Sequence, residues 1–498
     1  MVGSGLVYWT TPWGVGLSPD SATYIGGARS LYGMKGFSLP VDATTFSPIV
    51  HYPPLYPAFL AILAFLGLEP FAGARWLNVI LFGANAVVAG GIAFGVTRRW
   101  EGAAAAAGLM ITAFPLAQSH TMAWSEPLFI FLELWVWLFL IDYFRSSAPR
   151  SLLCAAVAAA LAALTRYVGV AIILAGSTAL LMLGQRARRQ RVTDAGLFFS
   201  CSSLPLLFWM ARNWSLAGST TNRTLGFHFV EMNRLAAVSE TILSWFLGWR
   251  PSAATSTLWL GSLFLLAVVV TLQRKEGKSA KPCLADFHSV PKMMLLSVGF
   301  YLCVLLASIV ILDDQTPVDS RILAPVYPAL IFLGFGLAAP ALDRWRETTG
   351  SRWLPYAMVL LLLGFQSVPT WRWLQLTHSE GMGYASRIWR NSHLLQQVKA
   401  LGPSAVIFTN APDLLYTVLG RSAYMIPRKI NPDTRQPNQD FIAQLDDMKS
   451  KLKMSGGVVV HFDRVHWRSY LPDAKELETM LGLRILIRAP DGTIATVN

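Results

Sequence analysis

From residue 73 to residue 371 the chain is a succession of apolar stretches separated by short polar clusters. Those at 73–97, 102–120, 125–144, 195–211, 254–272, 293–312, 322–341 and 354–371 are long enough to cross a hydrocarbon core as helices. The apolar run from 151 to 184 is too long for one crossing and is interrupted by Thr165-Arg166-Tyr167. It reads as a helix going out and a helix coming back, with Arg166 in the turn at the surface. The pattern predicts about ten spans.

Positive charge sets their direction. Arg98-Arg99, Arg145 with Arg150, Arg186 to Arg191, Arg274 to Lys292 and Arg344 to Arg352 fall in alternate loops, which are therefore expected to be cytoplasmic. The opposite loops, including 1–72, 212–253 and 313–321, and everything after about 372, are expected outside. Pro53 to Leu68 is apolar but short and opens with two prolines, so it reads as a helix lying in the outer interface. Met1 to Trp9 is too short to span, and no signal-peptide pattern stands there to deliver the first loop outside. A preceding transmembrane helix missing from the recorded start is the expected explanation.

After Gly402 the texture changes. Short β-branched runs at Ala405–Thr409, Gly457–Phe462, Leu483–Arg488 and Thr493–Val497 alternate with amphipathic stretches at Pro412–Leu419, Asp440–Lys453 and Asp473–Leu481. A small α/β domain is expected, with 427–438 as a loop. The chain divides on this reading into a first outer loop (1–72), a helical membrane domain (73–371) and an extracytoplasmic α/β domain (372–498).

Composition agrees: of 498 residues 54% are hydrophobic and 14% charged, the mark of a polytopic membrane protein rather than a soluble domain. The net charge of +13 sits in the inter-span clusters, so it is read as a topology signal and not as a nucleic-acid footprint. Cys154, Cys201 and Cys303 lie in apolar runs and Cys283 in a basic loop, which suggests neither a disulfide nor a thiolate metal site.

Candidate chemistry gathers at one level. Ser18-Pro19-Asp20-Ser21-Ala22-Thr23-Tyr24 has an N-cap serine and a proline for the first helical position, which places Asp20 in the first turn and Tyr24 one turn later. An acid there is also favoured by the helix dipole alone. Asp20, Tyr24, His51, Tyr52, Glu126, Arg166, Arg212, Arg223, His228, Arg234, Asp313, Asp314, Asp319 and Arg321 all map to the outer side. Singly, each has an ordinary explanation as an interfacial anchor or helix start. Together they supply both signs of charge for an outer-facing cavity, with a carboxylate to take a proton and arginines whose forked donors match phosphate. With no glycine-rich loop for a nucleotide, a lipid-linked phosphate donor fits these ingredients. Asp313 and Asp314 are the pair that would hold a divalent cation; no metal or other cofactor is expected to be required.

The motifs in series resemble the GT-C superfamily of integral-membrane glycosyltransferases. The chain is similar to its bacterial protein mannosyltransferase, lipid A aminoarabinose transferase and rhizobial lipopolysaccharide sugar transferase branches. The likeness rests on residues 18–24, His51-Tyr52-Pro53-Pro54-Leu55-Tyr56-Pro57, Ser125-Glu126-Pro127-Leu128-Phe129 and Leu164-Thr165-Arg166-Tyr167. It continues through Ala211-Arg212-Asn213-Trp214 and Asp319 to Pro325. It implies a GT-C fold and an inverting transfer from a polyprenyl-phosphate sugar to a glycan, lipid or protein acceptor at the outer face of the cell membrane. The first-loop acid, Asp20, is then the general base, and Glu126 is a second acid that orients acceptor or sugar. Arg212 and Arg321, then Arg166 and Arg223, are the phosphate ligands, with Tyr24 and Tyr52 orienting substrate. Relatives often carry a lysine before the Pro-Leu-Tyr motif, where this chain has His51. The alternative from the residues is a lipid or polysaccharide transporter with an outer vestibule, for which polar residues should continue through the membrane midplane.

Overall fold

A computed structural model describes residues 1–41, 45–223, 225–273, 289–312, 316–349, 353–431 and 436–497. These residues form two compact units. The first comprises Met1–Thr11, Val50–Tyr56 and Arg75–His378, and the second Pro12–Ile49, Pro57–Ala74 and Ser379–Asn498. Most of the expected first outer loop thus belongs to the same unit as the C-terminal α/β region.

The first unit is helical. Each apolar run that was expected to span is found as helix: Pro70–Thr97, Trp100–Thr112 with Phe114–His120, Glu126–Ser146, Pro149–Thr165 and Val170–Leu183. Arg188–Ala217, Ala253–Gln273, Ser289–Ile311, Val326–Thr349 and Trp353–Glu380 complete the set. Four of these among the described residues, Pro70–Thr97, Glu126–Ser146, Arg188–Ala217 and Ser289–Ile311, are long and apolar enough to cross a membrane unaided. Multi-pass membrane architecture follows from them.

The run 102–120 is not one helix. It breaks at Ala113, and its halves meet at 61°. Pro115 lacks the N–H that would bond to Ile111, and its ring crowds that carbonyl, so the helix is disfavoured at this point and breaks here. The backbone groups released at the break are taken up by neighbours. Tyr327 Oη, with one hydrogen to share, lies 3.0 Å from the Leu109 carbonyl and 2.8 Å from Gln366 Oε1, while Thr370 Oγ1 donates to the Thr112 carbonyl at 2.6 Å. Non-helical backbone survives in an apolar setting only with such partners.

Motif residues stand at the ends of two helices. The helix Pro149–Thr165 ends at Arg166, whose backbone is extended, and a single turn of 3₁₀ helix, Tyr167–Gly169, starts the return. A Cβ on Gly169 would stand 2.6 Å from Ala163 Cα and 2.7 Å from its nitrogen, so only glycine lets the chain double back this tightly. The short apolar helix after His51-Tyr52-Pro53 runs Leu55–Phe65, eleven residues, too short to span and in keeping with the interfacial expectation.

In the second unit Ser18 caps the helix Pro19–Tyr32, as the sequence pattern anticipates, and Ser21 reciprocates by bonding the Ser18 amide. A two-stranded hairpin comes next, β1 (Ser38–Pro40) against β2 (Phe46–Pro48). Arg29 fastens this helix through Glu69, at 2.7 Å, and through the carbonyl of Tyr416, at 3.1 Å. The C-terminal region is a mixed sheet of order β4-β3-β5-β7-β6, where β3 is Ile407–Thr409, β4 Tyr424–Met425, β5 Val458–Phe462, β6 Leu483–Ala489 and β7 Gly492–Val497. β3 lies parallel to β4 and β5, and β7 runs antiparallel to β5 and β6. Helices Phe441–Ser455 and Ala474–Leu481 bury Leu445, Met448, Leu452, Leu477 and Leu481 against Phe408 and Val459. The expected small α/β fold is present, with each expected run found as its element, and the edge strand β4 is an addition the sequence pattern did not mark. Part of the expected 427–438 loop, and the acids Asp313 and Asp314 and Cys283, lie outside the described residues.

Candidate functional site

The helix Glu126–Ser146 opens with an acid where the helix dipole favours one. A dipole-satisfying acid ordinarily faces water. Glu126 instead is fully buried, and its Oε1 accepts from two guanidinium groups, Arg166 Nη1 at 2.7 Å and Arg321 Nε at 2.6 Å. Both arginine side chains keep only a seventh of their surface exposed. A buried carboxylate needs such partners, because its desolvation penalty is several kcal/mol.

Each partner is held by local structure. Asp319 caps the short helix Ser320–Leu323, accepting from the amides of Arg321 and Ile322 at 3.0 Å each, which fixes the backbone beneath the Arg321 side chain. The Arg321 guanidinium lies 4.2 Å from the centre of the Trp124 ring, a cation–π contact. Arg166 Nη1 also donates to Ser125 Oγ at 3.1 Å, so the serine that precedes the helix serves the arginine and makes no side-chain cap bond of its own.

A second cluster in the same unit grows from the adjacent residue. In extended backbone, neighbouring side chains point apart. Tyr167 therefore leaves Arg166 to Glu126 and meets Asn213 instead. Asn213, fully buried, donates from Nδ2 to the carbonyls of Val50 (3.0 Å) and Thr220 (2.9 Å) and to Tyr167 Oη (3.3 Å). Its Oδ1 accepts from Arg212 Nη1 at 2.9 Å, and the Arg212 guanidinium sits 4.5 Å over the Trp209 ring. Arg212 and Arg223 both act electrostatically on the Tyr167 hydroxyl. Asn213 thereby tethers the chain at Val50, one residue before His51 and Tyr52, whose rings stand 4.3 Å apart.

In the second unit Asp20 is half-buried in the first turn of its capped helix and Tyr24 is buried. The structure thus joins Glu126 with Arg166 and Arg321, and links Arg212 through Asn213 to Tyr167. Asp20 and Tyr24 belong to the other unit. Sequence reasoning missed Trp124, Ser125 and Asn213 as functional neighbours. The signal was available, since each lies inside or beside a motif and within two residues of its charged member. Among the described residues no group of three or more histidine, cysteine or acidic side chains is placed to hold a metal ion.

Solved structures share this architecture. ArnT from Cupriavidus metallidurans bound to undecaprenyl phosphate aligns over 99% of this chain and 96% of its own, with a TM-score of 0.58 at 14% identity. The archaeal oligosaccharyltransferase AglB from Archaeoglobus fulgidus, in complex with an inhibitory peptide and a dolichol-phosphate, aligns over 100% of this chain and 73% of its own, with a TM-score of 0.53 at 11% identity. The arabinofuranosyltransferase AftD from Mycobacteria gives 100%, 41%, 0.53 and 15% in the same order. No family model and no curated protein matches the sequence. At these identities the likeness is one of fold, and the GT-C fold expected from the motifs is the fold of this chain.

Proposed function

We propose that the protein is an inverting glycosyltransferase that moves a sugar from a polyprenyl-phosphate donor to a glycan, lipid or protein acceptor at the outer face of the cell membrane. The observation that carries the reading is the Arg166–Glu126–Arg321 cluster: two guanidiniums pre-oriented by one buried carboxylate among apolar helices. Such a cluster is suited to a phosphate whose lipid tail lies among those helices. The fold neighbours solved with undecaprenyl phosphate and dolichol-phosphate support the same donor class.

In this reading the acceptor hydroxyl attacks the anomeric carbon as the bond to the phosphate oxygen breaks on the opposite face. The electron pair leaves on the polyprenyl phosphate, whose charge Arg166 and Arg321 stabilise, with Arg212, Arg223 and His51 as further donors. The hydroxyl proton passes to the Asp20 carboxylate, a contribution of about 10²–10⁴-fold for a placed general base. Tyr24 and Tyr52 orient substrate. Glu126, paired through one oxygen with two arginines, acts by aligning them. The C-terminal α/β region lies extracytoplasmically in this topology.

The test is transfer by the purified chain in detergent or proteoliposomes, offered radiolabelled polyprenyl-phosphate sugars and an envelope extract as acceptor source. Sugar should leave the donor and polyprenyl phosphate should accumulate. Movement of intact donor across the bilayer without bond cleavage would instead establish the transporter reading.

A further inference from the structure

The arginine pair is gripped by one loop, residues 121–125, together with Glu126: Trp124 lies under Arg321, Ser125 accepts from Arg166, and Glu126 accepts from both. What fixes that loop comes from another helix. Asn78 and Asn85 stand seven residues apart on Pro70–Thr97, hence on one face, and both are buried. Asn78 Nδ2 donates to the carbonyls of His120 (3.0 Å) and Met122 (2.7 Å). Asn85 Nδ2 bonds His120 Nε2 at 3.0 Å and the Pro127 carbonyl at 3.2 Å. The two amides therefore bracket the loop from just before its start to just after Glu126.

His120, fully buried, completes the clamp, and its tautomer follows from its partners. Nδ1 lies 2.7 Å from the Leu116 carbonyl, which only accepts, so Nδ1 carries the hydrogen and Nε2 accepts from Asn85. Trp373 Nε1 adds a bond to Thr121 Oγ1 at 3.0 Å. The arrangement has a cost: Oδ1 of Asn78 and of Asn85 are buried with no hydrogen-bond partner among the described residues. An apolar pair would avoid that penalty but could not hold the loop carbonyls.

We infer that Asn85 and His120, with Asn78, are positioning residues that set the geometry of the Arg166–Arg321 pair toward the donor phosphate. This rests on the phosphate reading above. The experiment compares binding of undecaprenyl phosphate and of undecaprenol, which lacks the phosphate, to the purified full chain and to Asn85→Ala, His120→Leu and His120→Gln. Only the folded, monodisperse fraction of each is measured. Wild type should prefer the phosphate. Asn85→Ala and His120→Leu should lose about tenfold or more of that preference while binding undecaprenol as before, as expected when a binding group is misplaced by a fraction of an ångström. His120→Gln, which can return an acceptor to Asn85, should keep most of it. If Asn85→Ala does not fold, the two His120 variants decide. Preference retained in His120→Leu, or lost equally in His120→Gln, overturns the positioning role while leaving the phosphate reading standing. No preference in wild type overturns both.

Discussion

Replacing Glu126 by Gln keeps the volume and removes the charge between Arg166 and Arg321. In wild type one oxygen serves both guanidiniums at 2.7 and 2.6 Å. At an effective dielectric of about 20, unit charges about 4 Å apart attract by about 4 kcal/mol each, and burial of the carboxylate has already consumed much of that gain. Glutamine leaves two largely buried cations facing one another across a neutral amide. Breaking a buried pair in this way costs about 3–5 kcal/mol. At about 2 °C per kcal/mol, the lower end for large domains, melting should fall by roughly 6–10 °C. The assay is thermal unfolding of purified protein in detergent, with Arg321→Met and the double variant completing a cycle. Removing one arginine should relieve the repulsion that Glu126→Gln creates, with a coupling of about 2 kcal/mol. A Glu126→Gln variant melting within about 1 °C of wild type, as judged against the roughly 1 kcal/mol ceiling of surface pairs, would refute the buried-anchor account.

Other expectations come from single contacts. Asn213→Ala removes the two N–H groups shared among Val50, Thr220 and Tyr167 and leaves the Thr220 carbonyl without this donor, so stability measured by the same melting assay should drop by about 2–3 kcal/mol. Gly169→Ala pushes a methyl into the Ala163 backbone and should cost about 1–3 kcal/mol, with weaker phosphate binding because the turn carries Arg166. In the C-terminal region Lys429 Nζ lies 2.8 Å from Glu476, and that bond, then the Asp473 amide, holds the Glu476 carboxyl below its ordinary value. A depressed folded value means the contribution is present above the unfolded value of about 4.5 and is lost as pH falls through the folded one. Lys429→Met should therefore lower stability by about 0.5 kcal/mol at neutral pH, this being an exposed pair, and the difference should vanish in acid. A pH-independent difference would contradict it.

The apolar periodicity located the helices because each run of apolar residues needs one buried or lipid-facing helix, whatever its neighbours. The same signal missed the break at Ala113, since apolar residues flank it on both sides and only Pro115 marks it. Most elements of the α/β region were legible singly: the amphipathic stretch Asp473–Leu481 is a helix, which the structure shows opened by an Asp473–Glu476 capping box and ended by Gly482 in left-handed conformation. The site was legible in part. Glu126, Arg166 and Arg321 were each singled out, but that they share one oxygen depends on three loops far apart in sequence, and no local pattern reports it. Asn78, Asn85 and His120 escaped notice because an uncharged amide or a lone histidine in an apolar run carries no signal of its own, whereas Asn213 stood inside a motif but was passed over for the arginine beside it. The expectation about Asp20 rested on a capped helix start, which is present, and on a resemblance.

The most direct measurement is therefore sugar transfer by Asp20→Asn against wild type, using a polyprenyl-phosphate sugar of known anomeric configuration, with both proteins shown to melt alike. Wild type is expected to give a product of inverted configuration, and Asp20→Asn to lose about 10²-fold or more of the rate with donor binding unchanged. Full transfer by folded Asp20→Asn, or a product of retained configuration, would contradict the mechanism.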